Sequence, residues 1–353
     1  MEIRKLGELC EIVIGKTPRT NIEQYWNQND VPFIDGSLRK KGRYISNFAI
    51  KSNKQVVADK SDILMSILGN FDFVYVDECT AFNQQVCLIK NNSNEKIFSK
   101  YLYFFLKKKI KRFETISIGT TVKHLNKTII KNFEISFPKI SIQQQIINII
   151  EPFEKKLNNL IKRRDNIKKL LVNLYYEFSS NKKLLFKNLI EFNIKKYKNQ
   201  SNYVDTSNIG YCEFISSDPI IKLKSRANLS TIKESFIFSK LDGENKIFPI
   251  WHSYFVNNFV YSTGFYNILV NDKNLSWFVL GYLLSDDFKE QKHKTSSGSV
   301  MMGINNESFN SIKISESTSS KNFNFMIKLL NLIELQIIYI KKIIENLINL
   351  YLN

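Results

Sequence analysis

The 353-residue sequence predicts an α+β fold in which two mixed α/β domains lie at opposite ends of an antiparallel two-helix coiled coil. Three observations predict it: a heptad pattern near the middle of the chain, a second one at its end, and a loop sequence that precedes each of them. We expect the domains at residues 1–139 and 180–318 and the long helices at residues 140–179 and 319–353. The duplication predicts two related modules around a pseudo-twofold axis.

The first heptad pattern predicts a long helix with one apolar stripe. Its positions follow one another in steps of four and three residues, at Ile146, Ile150, Phe153, Leu157, Leu160, Arg164, Ile167, Leu171, Leu174 and Phe178. Arg164 is the polar exception. Pro152 lacks an amide hydrogen and crowds the preceding turn, so we expect the helix to kink or restart there.

The second heptad pattern predicts the partner of the first. It consists of Met326, Leu330, Ile333, Ile337, Ile340, Ile344, Leu347 and Tyr351, each 180 residues after its counterpart, as in 326 − 146 = 180. Either stripe alone would face water, so the two helices are expected to pair. A helix of this size spans roughly 50 Å at about 1.5 Å per residue.

A loop sequence before each long helix is also duplicated. Residues 118–126 and 133–135 align without gaps to residues 297–305 and 312–314, at an offset of 298 − 119 = 179. The domains as well as the helices are therefore predicted to be repeats.

Local patterns predict the first domain's elements. Ile3–Ile14 alternates like a strand running into a turn at Gly15–Pro18. Further strands are expected around Ile63–Leu68, Phe73–Val76 and Val86–Ile89, and a helix at Ile97–Arg112. Trp277–Leu284 is too short to cross a membrane and predicts a core segment, and all three tryptophans are expected mainly in cores.

The net charge of +18 indicates a polyanionic partner such as nucleic acid. Residues 1–179 contribute +12 (30 Lys and Arg against 18 Asp and Glu), and residues 180–353 contribute +6 (21 against 15). A coding bias toward Lys, Asn and Ile explains the same charge, so both interpretations stay open.

Sequence motifs argue against catalysis, cofactors and metals. No proline follows another, which removes the Asn-Pro-Pro-aromatic motif of amino-methylating enzymes, and the glycine spacing fits neither a dinucleotide fingerprint nor a P-loop. Three isolated histidines and four unpaired cysteines form no standard zinc cluster and predict free thiols in a reducing cytoplasm. No signal peptide or membrane span is expected.

Short motifs follow one another in order. The chain opens with Leu6-Gly7-Glu8-Leu9, Gly15-Lys16-Thr17-Pro18, Tyr25-Trp26 and Val31-Pro32-Phe33-Ile34. A junction follows at Gly119-Thr120-Thr121 to Pro138 and Gln143-Gln144-Gln145-Ile146. The second domain contains Ser225-Arg226-Ala227, Ile237-Phe238-Ser239-Lys240-Leu241 and Ser262-Thr263-Gly264-Phe265. In this order the chain resembles the specificity subunit of type I restriction-modification systems, with target recognition domains of two different subtypes.

The junctions depart from the family pattern. Members usually carry paired prolines and a Glu-Gln step, whereas this chain keeps Pro138, replaces the step by Gln143–Gln145, and has no proline at 314–321. The departure bears on how the second junction contacts a partner subunit.

The resemblance implies a DNA-binding subunit without catalytic residues or cofactors. Each target recognition domain would read one half of a split, asymmetric double-stranded target. The helices would set the spacer and dock methylation (M) subunits, expected to number two, and restriction (R) subunits are a further partner that the resemblance allows. Two alternatives are a coiled-coil scaffold or RNA-binding protein with non-specific polyanion affinity, and a self-sufficient methyltransferase or nuclease, which the missing motifs disfavour.

Candidate DNA contacts are exposed cations, hydroxyls and amides in turns. In the first domain they are Lys16, Thr17, Arg19, Arg39, Lys40, Lys41, Arg43, Thr120, Thr121, Lys123 and His124. In the second they are Arg226, Lys240, Asn245, Lys246, Lys294, Ser296, Ser297 and Ser299. An arginine forked onto guanine gives about 1 to 3 kcal/mol of discrimination. Ordinary surface turns would contain the same residue types, so each assignment competes with that interpretation.

Overall fold

The structure is a computed structural model that describes residues 1–27, 29–38, 40–52, 54–197, 199–220, 225–243, 245–298 and 302–352, with backbone only for residues 40–42. The chain divides into two compact units. The first unit comprises Met1–Glu154 and Ile343–Asn353, and the second comprises Lys155–Lys342. Both contain helices and strands, in agreement with the predicted α+β class.

The first unit has three sheets. Its strands are β1 Glu2–Lys5, β2 Cys10–Ile14, β3 Trp26–Asn27, β4 Val31–Ile34, β5 Lys40–Ile45, β6 Val57–Ala58, β7 Ile63–Ser66, β8 Phe73–Tyr75, β9 Thr80–Phe82, β10 Val86–Asn91 and β11 Glu134–Phe137. Its helices are α1 Leu6–Leu9, α2 Asn47–Ser52, α3 Ser99–Lys108, α4 Ile110–Ile116 and α5 Lys127–Lys131, followed by the start of α6, Ile140–Glu177. The sheets have the strand orders β2-β10-β7-β8, β3-β5-β4-β9-β6 and β1-β11.

The second unit repeats this plan. Its strands are β12 Ser179–Leu185, β13 Ile190–Phe192, β14 Asn202–Val204, β15 Asp218–Pro219, β16 Ala227–Leu229, β17 Ser235–Ser239, β18 Ile247–Ile250, β19 Phe259–Ser262, β20 Phe265–Val270 and β21 Lys313–Ser317. Its helices are α7 Ser253–Asn257, α8 Ser276–Leu284, α9 Asp286–Thr295, α10 Asn306–Phe309 and most of α11, Phe325–Tyr351. The sheets have the orders β13-β20-β17-β18, β15-β14-β19-β16 and β12-β21.

The two units share details of topology. Each has an antiparallel four-stranded sheet, a second sheet with one parallel pair, β4 with β9 or β14 with β19, and a two-stranded ribbon next to a long helix. The ribbon joins β1 to β11 in the first unit and β12 to β21 in the second. The duplication found in the sequence is therefore also present in the fold.

Both heptad stripes are buried or half-buried along their length, except for Tyr351. In the first unit, Ile146 and Ile150 lie in one apolar core with Ile348 and Leu352. In the second unit, Arg164 pairs with Glu334, and further along α6 Leu171 shares a core with earlier residues of α11, including Met326 and Leu330. Within the second unit the two helices are therefore antiparallel.

Helix α8 is the centre of the second core, because all nine of its residues are buried. Gly281 allows its close approach to α6: a Cβ atom there would lie 2.5 Å from the carbonyl oxygen of Leu171. The predicted core role of this segment is confirmed.

Two polar side chains attach α11 to the domain of the second unit. The buried Asn331 accepts hydrogen bonds from the amides of Trp251 and His252 (2.9 and 3.0 Å) and donates to the carbonyl of Pro249 (2.8 Å). The carboxylate of Glu334 accepts from the amide of Phe214 (3.1 Å). Long-range hydrogen bonds thus supplement the apolar stripe.

Some predicted elements are wrong in detail. Helix α6 continues through Pro152 without restarting. Proline removes the amide partner of the Asn148 carbonyl, but Asn148 and Pro152 are exposed, so that carbonyl can bind water instead. The predicted strand Ile3–Ile14 is interrupted by α1, because Leu6 and Leu9 are both buried and three-residue spacing places them on one helical face. The predicted helix Ile97–Arg112 is two helices that meet at Lys109. The strands predicted around residues 63–68, 73–76 and 86–89 are confirmed.

Candidate nucleic-acid interface

The duplicated sequence forms the same loop in both units. We call residues Ile118–Leu125 repeat loop 1 and residues Ser297–Ile304 repeat loop 2. In loop 1, the amides and carbonyls of Ile118 and His124 exchange two hydrogen bonds (2.9 and 2.8 Å). In loop 2, Ser297 and Gly303 do the same (3.0 and 3.1 Å). The equivalent pairs are separated by 179 residues, the offset found in the sequence.

Each repeat loop is also fixed to a turn of its own unit. The amide of Leu125 donates to the carbonyl of Ile67 (3.0 Å), and the amide of Gly69 donates to that of Lys123 (2.8 Å). Loop 2 repeats the arrangement: the amide of Ile304 donates to the carbonyl of Lys240, and that of Asp242 to the carbonyl of Met302 (both 2.9 Å). These hydrogen bonds fix the ends of both loops, at residues 118 and 123–125 in loop 1 and at residues 297 and 302–304 in loop 2.

Glycine and asparagine fix the two ends of each loop. Gly119 and Gly298 have φ angles of +106° and +133°, which residues other than glycine rarely adopt. Asn126 and Asn305 follow the loops and cap helices α5 and α10 by accepting the amides of Ile129 and Ser308. These shared residues explain why the loop sequence is recognisable in both halves.

In the first unit, the turn at residues 15–19 lies beside the same segment as repeat loop 1. The hydroxyl of Thr17 contacts the side chain of Gln84, while the carbonyl of Gln85 accepts the amide of Ile67, next to the loop. The carbonyl of Lys16 accepts the side-chain amide of Gln55 (2.5 Å). Candidate residues 16, 17, 19, 120, 121, 123 and 124 are all exposed. We call residues 15–19, 67–69 and 118–124 the first candidate surface.

Arg43 and Trp26 form a second feature of the first unit. The guanidinium of Arg43 lies 4.7 Å from the centre of the Trp26 ring, and the indole nitrogen of Trp26 donates to the carbonyl of Arg19 (3.2 Å). They line a shallow depression of about 410 Å³ together with Thr20, Glu23, Asn27 and Tyr44. Trp26 is half-buried, whereas Trp251 and Trp277 are buried as predicted. The candidate Arg39 and the side chains of Lys40 and Lys41 lie outside the described residues.

In the second unit, the candidate residues gather around repeat loop 2. The carbonyl of Arg226 accepts the amide of Thr263 (3.0 Å), and the amide of Lys240 donates to the carbonyl of Gly264 (2.9 Å). Lys246 closes the turn through its carbonyl, which accepts the amide of Ser239 (2.9 Å). We call residues 225–226, 240–243, 245–246, 263–264 and 294–298 the second candidate surface; Ser299 lies outside the described residues.

Some polar side chains of the second candidate surface have internal partners. His293 contacts the carboxylate of Asp242 at 2.6 Å. Burial raises the pKa of Asp242, but hydrogen bonds from His293 and the Gly243 amide, together with the electrostatic effects of His293 and Lys292, outweigh it, so that the net shift of this pKa is downward. The hydroxyl of Ser296 donates to the carbonyl of Lys292 (2.7 Å), and Lys294 lies 3.7 Å from Glu290. Arg226 and Ser297 are exposed, and Asn245 is half-buried.

A cavity of about 450 Å³ lies behind Lys240. Its ammonium group is 4.7 Å from the centre of the Tyr266 ring, and burial lowers the pKa of Lys240. The other lining residues include Phe192, Lys195, Lys196, Asn228 and Asn306. The sequence interpretation missed this cavity, because its walls come from segments more than a hundred residues apart.

Ionisable groups with strong shifts lie in cores rather than on the candidate surfaces. Burial raises the pKa of the Cys10, Cys87 and Cys212 thiols to about 12. All four cysteines are free, and Cys79 is exposed. Among the described residues, no three His, Cys, Asp or Glu side chains are placed to hold a metal ion.

No helix in the described part of the chain combines the length and the apolarity that a membrane span requires.

A model of a known protein family matches almost half of the chain. The family model for the type I restriction modification DNA specificity domain matches residues 1–169. The MjaIX specificity subunit of a type I restriction enzyme from Methanocaldococcus jannaschii is 24% identical over 49% of this chain and 42% of its own length. A putative type I specificity subunit from Haemophilus influenzae, S.HindORF215P, is 29% identical over 45% of this chain and 42% of its own length. This chain thus covers less than half the length of these relatives.

A solved structure resembles the chain over nearly its whole length. The type I restriction-modification S subunit from M. genitalium matches with a TM-score of 0.50 at 16% identity, covering 99% of this chain and 93% of the other. At this identity the likeness concerns the fold. Residues 1–169 thus match the family model of the type I restriction modification DNA specificity domain, and the chain is similar to the specificity subunits of type I restriction enzymes.

Proposed function

We propose that this chain is the non-catalytic DNA specificity subunit of a cytoplasmic type I restriction-modification enzyme. Each unit binds one half of a bipartite, asymmetric duplex target through its candidate surface. The paired helices α6 and α11 set the spacer between the half-sites and dock two methylation subunits. Restriction subunits are a further partner that this proposal allows.

The duplicated repeat loop is the observation that carries the proposal. Two loops with equivalent hydrogen bonds at their described ends each lie beside exposed cations, in halves with net charges of +12 and +6. Cations bind phosphates irrespective of sequence, while a rigid loop can present side chains to base edges. Two such surfaces in one chain support a target with two separate blocks, and their different residues support unlike half-sites.

Exposed apolar side chains on the long helices support the docking of methylation subunits. In the second unit, Phe325, Leu329, Leu332 and Tyr339 are exposed on α11 at steps of four, three and seven residues. They form a heptad stripe separate from the buried one. Leu170 and Tyr176 are exposed on α6. Contiguous exposed apolar side chains are typical of protein-binding surfaces.

The alternative is a coiled-coil scaffold or RNA-binding protein with non-specific affinity for polyanions. It predicts similar binding to any duplex of equal length and a steep loss of affinity with salt. The specificity proposal predicts a sequence preference that survives at salt concentrations where non-specific binding is weak.

Selection from a randomised duplex library tests the proposal. We expect the purified chain, with and without its cognate methylation subunits, to select two short conserved blocks around an unread spacer of fixed length. Methyl transfer from S-adenosylmethionine is expected only when the methylation subunits are present. One contiguous block, no preference, or methyl transfer by this chain alone would contradict the proposal.

Single exposed cations of the two units are expected to act on separate blocks. Replacing the exposed Arg43 or Arg226 with alanine should weaken binding to the selected duplex about tenfold, or roughly 1 to 3 kcal/mol if the side chain reads a base. A base-reading arginine relaxes the preference within one block, whereas a phosphate-binding one reduces the salt dependence equally for all sequences. Fluorescence anisotropy over a salt series distinguishes these results.

The control for the arginine variants is Lys182→Ala. Lys182 is an exposed cation on β12 that pairs with Glu316 at 3.0 Å, outside both candidate surfaces. Equal losses for Lys182→Ala and the arginine variants would show that the measurement reports net charge alone.

A further inference from the structure

Repeat loop 1 places apolar side chains on one exposed face. Leu68 and Ile118 are each the antiparallel partner of His124, one on either side of it. Directly opposed residues in antiparallel pairs project to the same face. Val122 lies in the bend between Ile118 and His124 and is exposed as well. We call Leu68, Ile118, Val122 and His124 the loop 1 face.

The apolar members of the loop 1 face are not core residues. Leu68, Ile118 and Val122 keep 40, 46 and 53% of their surface accessible, whereas Leu125, the next residue of the loop, is 1% exposed. The backbone of the loop is held by four hydrogen bonds to Ile67, Gly69 and within itself, so these side chains are presented outward by a fixed frame. Clustered exposure of this kind is typical of a contact surface.

Three described positions of the second unit differ from their counterparts on the loop 1 face, although Met302, the equivalent of Lys123, is an exposed apolar residue. Ile118 corresponds to Ser297 and His124 to Gly303, at the same backbone positions. Leu68 corresponds to Leu241, which is half-buried rather than exposed. The frame of the repeat loop is thus common to both units, while the chemistry of its face differs. If these side chains only stabilised the loop backbone, both loops would be expected to carry similar residues. We therefore attribute the difference to what each loop contacts.

We propose that the loop 1 face recognises thymine, by packing Ile118, Val122 and Leu68 against the C5-methyl groups that thymine presents in the major groove. The inference rests on the proposed function, because it assigns a base preference to a surface proposed to bind DNA. Thr120, Thr121 and Lys123 flank the face with exposed polar groups suited to the phosphates beside a groove. Apolar side chains recognise the thymine methyl, which the other three bases lack. In loop 2, Ser297 takes the place of Ile118 and offers no apolar side chain at that position.

Substituting uracil for thymine in the duplex tests the inference, since it removes the methyl group and keeps the base pair. Each thymine of both selected blocks is replaced in turn, and the dissociation constant is measured with the full chain. We expect at least one thymine, within a single block, whose replacement weakens binding about fourfold, the effect of one buried methyl-sized group of roughly 0.8 kcal/mol. Thymines of the other block are expected to tolerate uracil.

Two variants complete a double-mutant cycle. Ile118→Ser copies the residue of loop 2, and Val122→Ser removes the most exposed apolar side chain. Each is expected to weaken binding to the thymine duplex and to lose the thymine-over-uracil preference, with unchanged thermal unfolding because the side chains are half exposed. Leu38→Ser, at a half-buried residue outside the loop 1 face, serves as the control that should keep the preference.

The outcomes separate the inference from the proposed function. Selection of two blocks in which every thymine tolerates uracil would overturn the thymine assignment and leave the specificity proposal standing. The same holds if the uracil effect persists in Ile118→Ser and Val122→Ser, or if these variants alter only assembly with a protein partner. Absence of any selected sequence would overturn both.

Discussion

Replacing Leu171 with aspartate is expected to reduce the free energy of unfolding by at least about 4 kcal/mol. Leu171 is 0% exposed in the core of the second unit, and its carbonyl lies where α8 makes its closest approach at Gly281. A carboxylate at this position has no cation to pair with inside an apolar core, which is among the most costly single substitutions. Urea denaturation followed by circular dichroism measures the loss.

The adjacent residue provides a matched control. Leu170 is 48% exposed on the same turn of α6, so Leu170→Asp introduces the same charge and is expected to change stability by less than about 1 kcal/mol. Ile337 and Tyr339 form the corresponding pair on α11, at 0 and 67% exposure. If the helices set the spacer, Leu171→Asp and Ile337→Asp also broaden the spacer lengths recovered by selection before either block is lost. Equal stability of the buried and exposed variants would contradict the assigned seam.

Periodicity predicted the long helices because it is a local property of the chain. Steps of four and three residues fix which side of a helix is apolar, and the buried residues of α6 and α11 follow those steps. Of the two outcomes expected at Pro152, a kink or a restart, the restart was wrong for a related reason. The cost of a proline depends on whether the orphaned carbonyl reaches water, which sequence spacing alone does not tell.

The polar anchors of the helices could not be predicted, because their partners are distant in sequence. Asn331 binds backbone groups about 80 residues away, and Glu334 binds the amide of Phe214, 120 residues away. On the sequence both residues belong to a helix face with no distinguishing pattern. Only the fold brings the amides of Trp251, His252 and Phe214 within hydrogen-bond distance of these two side chains.

The candidate surfaces could be predicted only in part, because some of their features are local in sequence and others are not. The repeat loops were recognisable since duplication is visible in a single sequence, and their shared glycine and asparagine fix the same backbone geometry. The apolar face of loop 1 was missed, because the pairing of Leu68 with His124 joins segments 56 residues apart. Large apolar residues such as Ile118 and Val122 are otherwise expected to be buried.

The ion pair at the polar position of the first heptad stripe yields the second large effect. Arg164 donates to Glu334 at 3.0 Å, with side-chain exposures of 7 and 1%, and its guanidinium lies 3.8 Å from Glu213. Replacing Arg164 with methionine keeps an unbranched side chain of similar length but leaves the carboxylate of Glu334 buried without its cation. Removing one partner of a buried pair costs about 3 to 5 kcal/mol. We therefore expect a loss of this size for Arg164→Met at pH 7, measured by urea denaturation.

The pH dependence identifies the cause of the loss. Burial raises the pKa of Glu334 above its ordinary value of 4.5, and Arg164 opposes that rise, so the pKa increases further in Arg164→Met. Between the unfolded and folded pKa values the folded state binds more protons, and stability therefore falls as the pH rises through this range. The deficit of Arg164→Met relative to the wild type should be smallest near pH 4.5 and complete above the folded pKa.

Glu334→Gln provides the rescue that separates charge from packing. Glutamine keeps an oxygen that can accept the amide of Phe214, and it has no charge to leave unpaired. The double variant Arg164→Met/Glu334→Gln is expected to recover most of the loss at pH 7 and to have no extra pH dependence, because matched neutral groups replace the pair. If the double variant is as unstable as Arg164→Met at every pH, lost packing of the arginine side chain is responsible and the buried carboxylate is not.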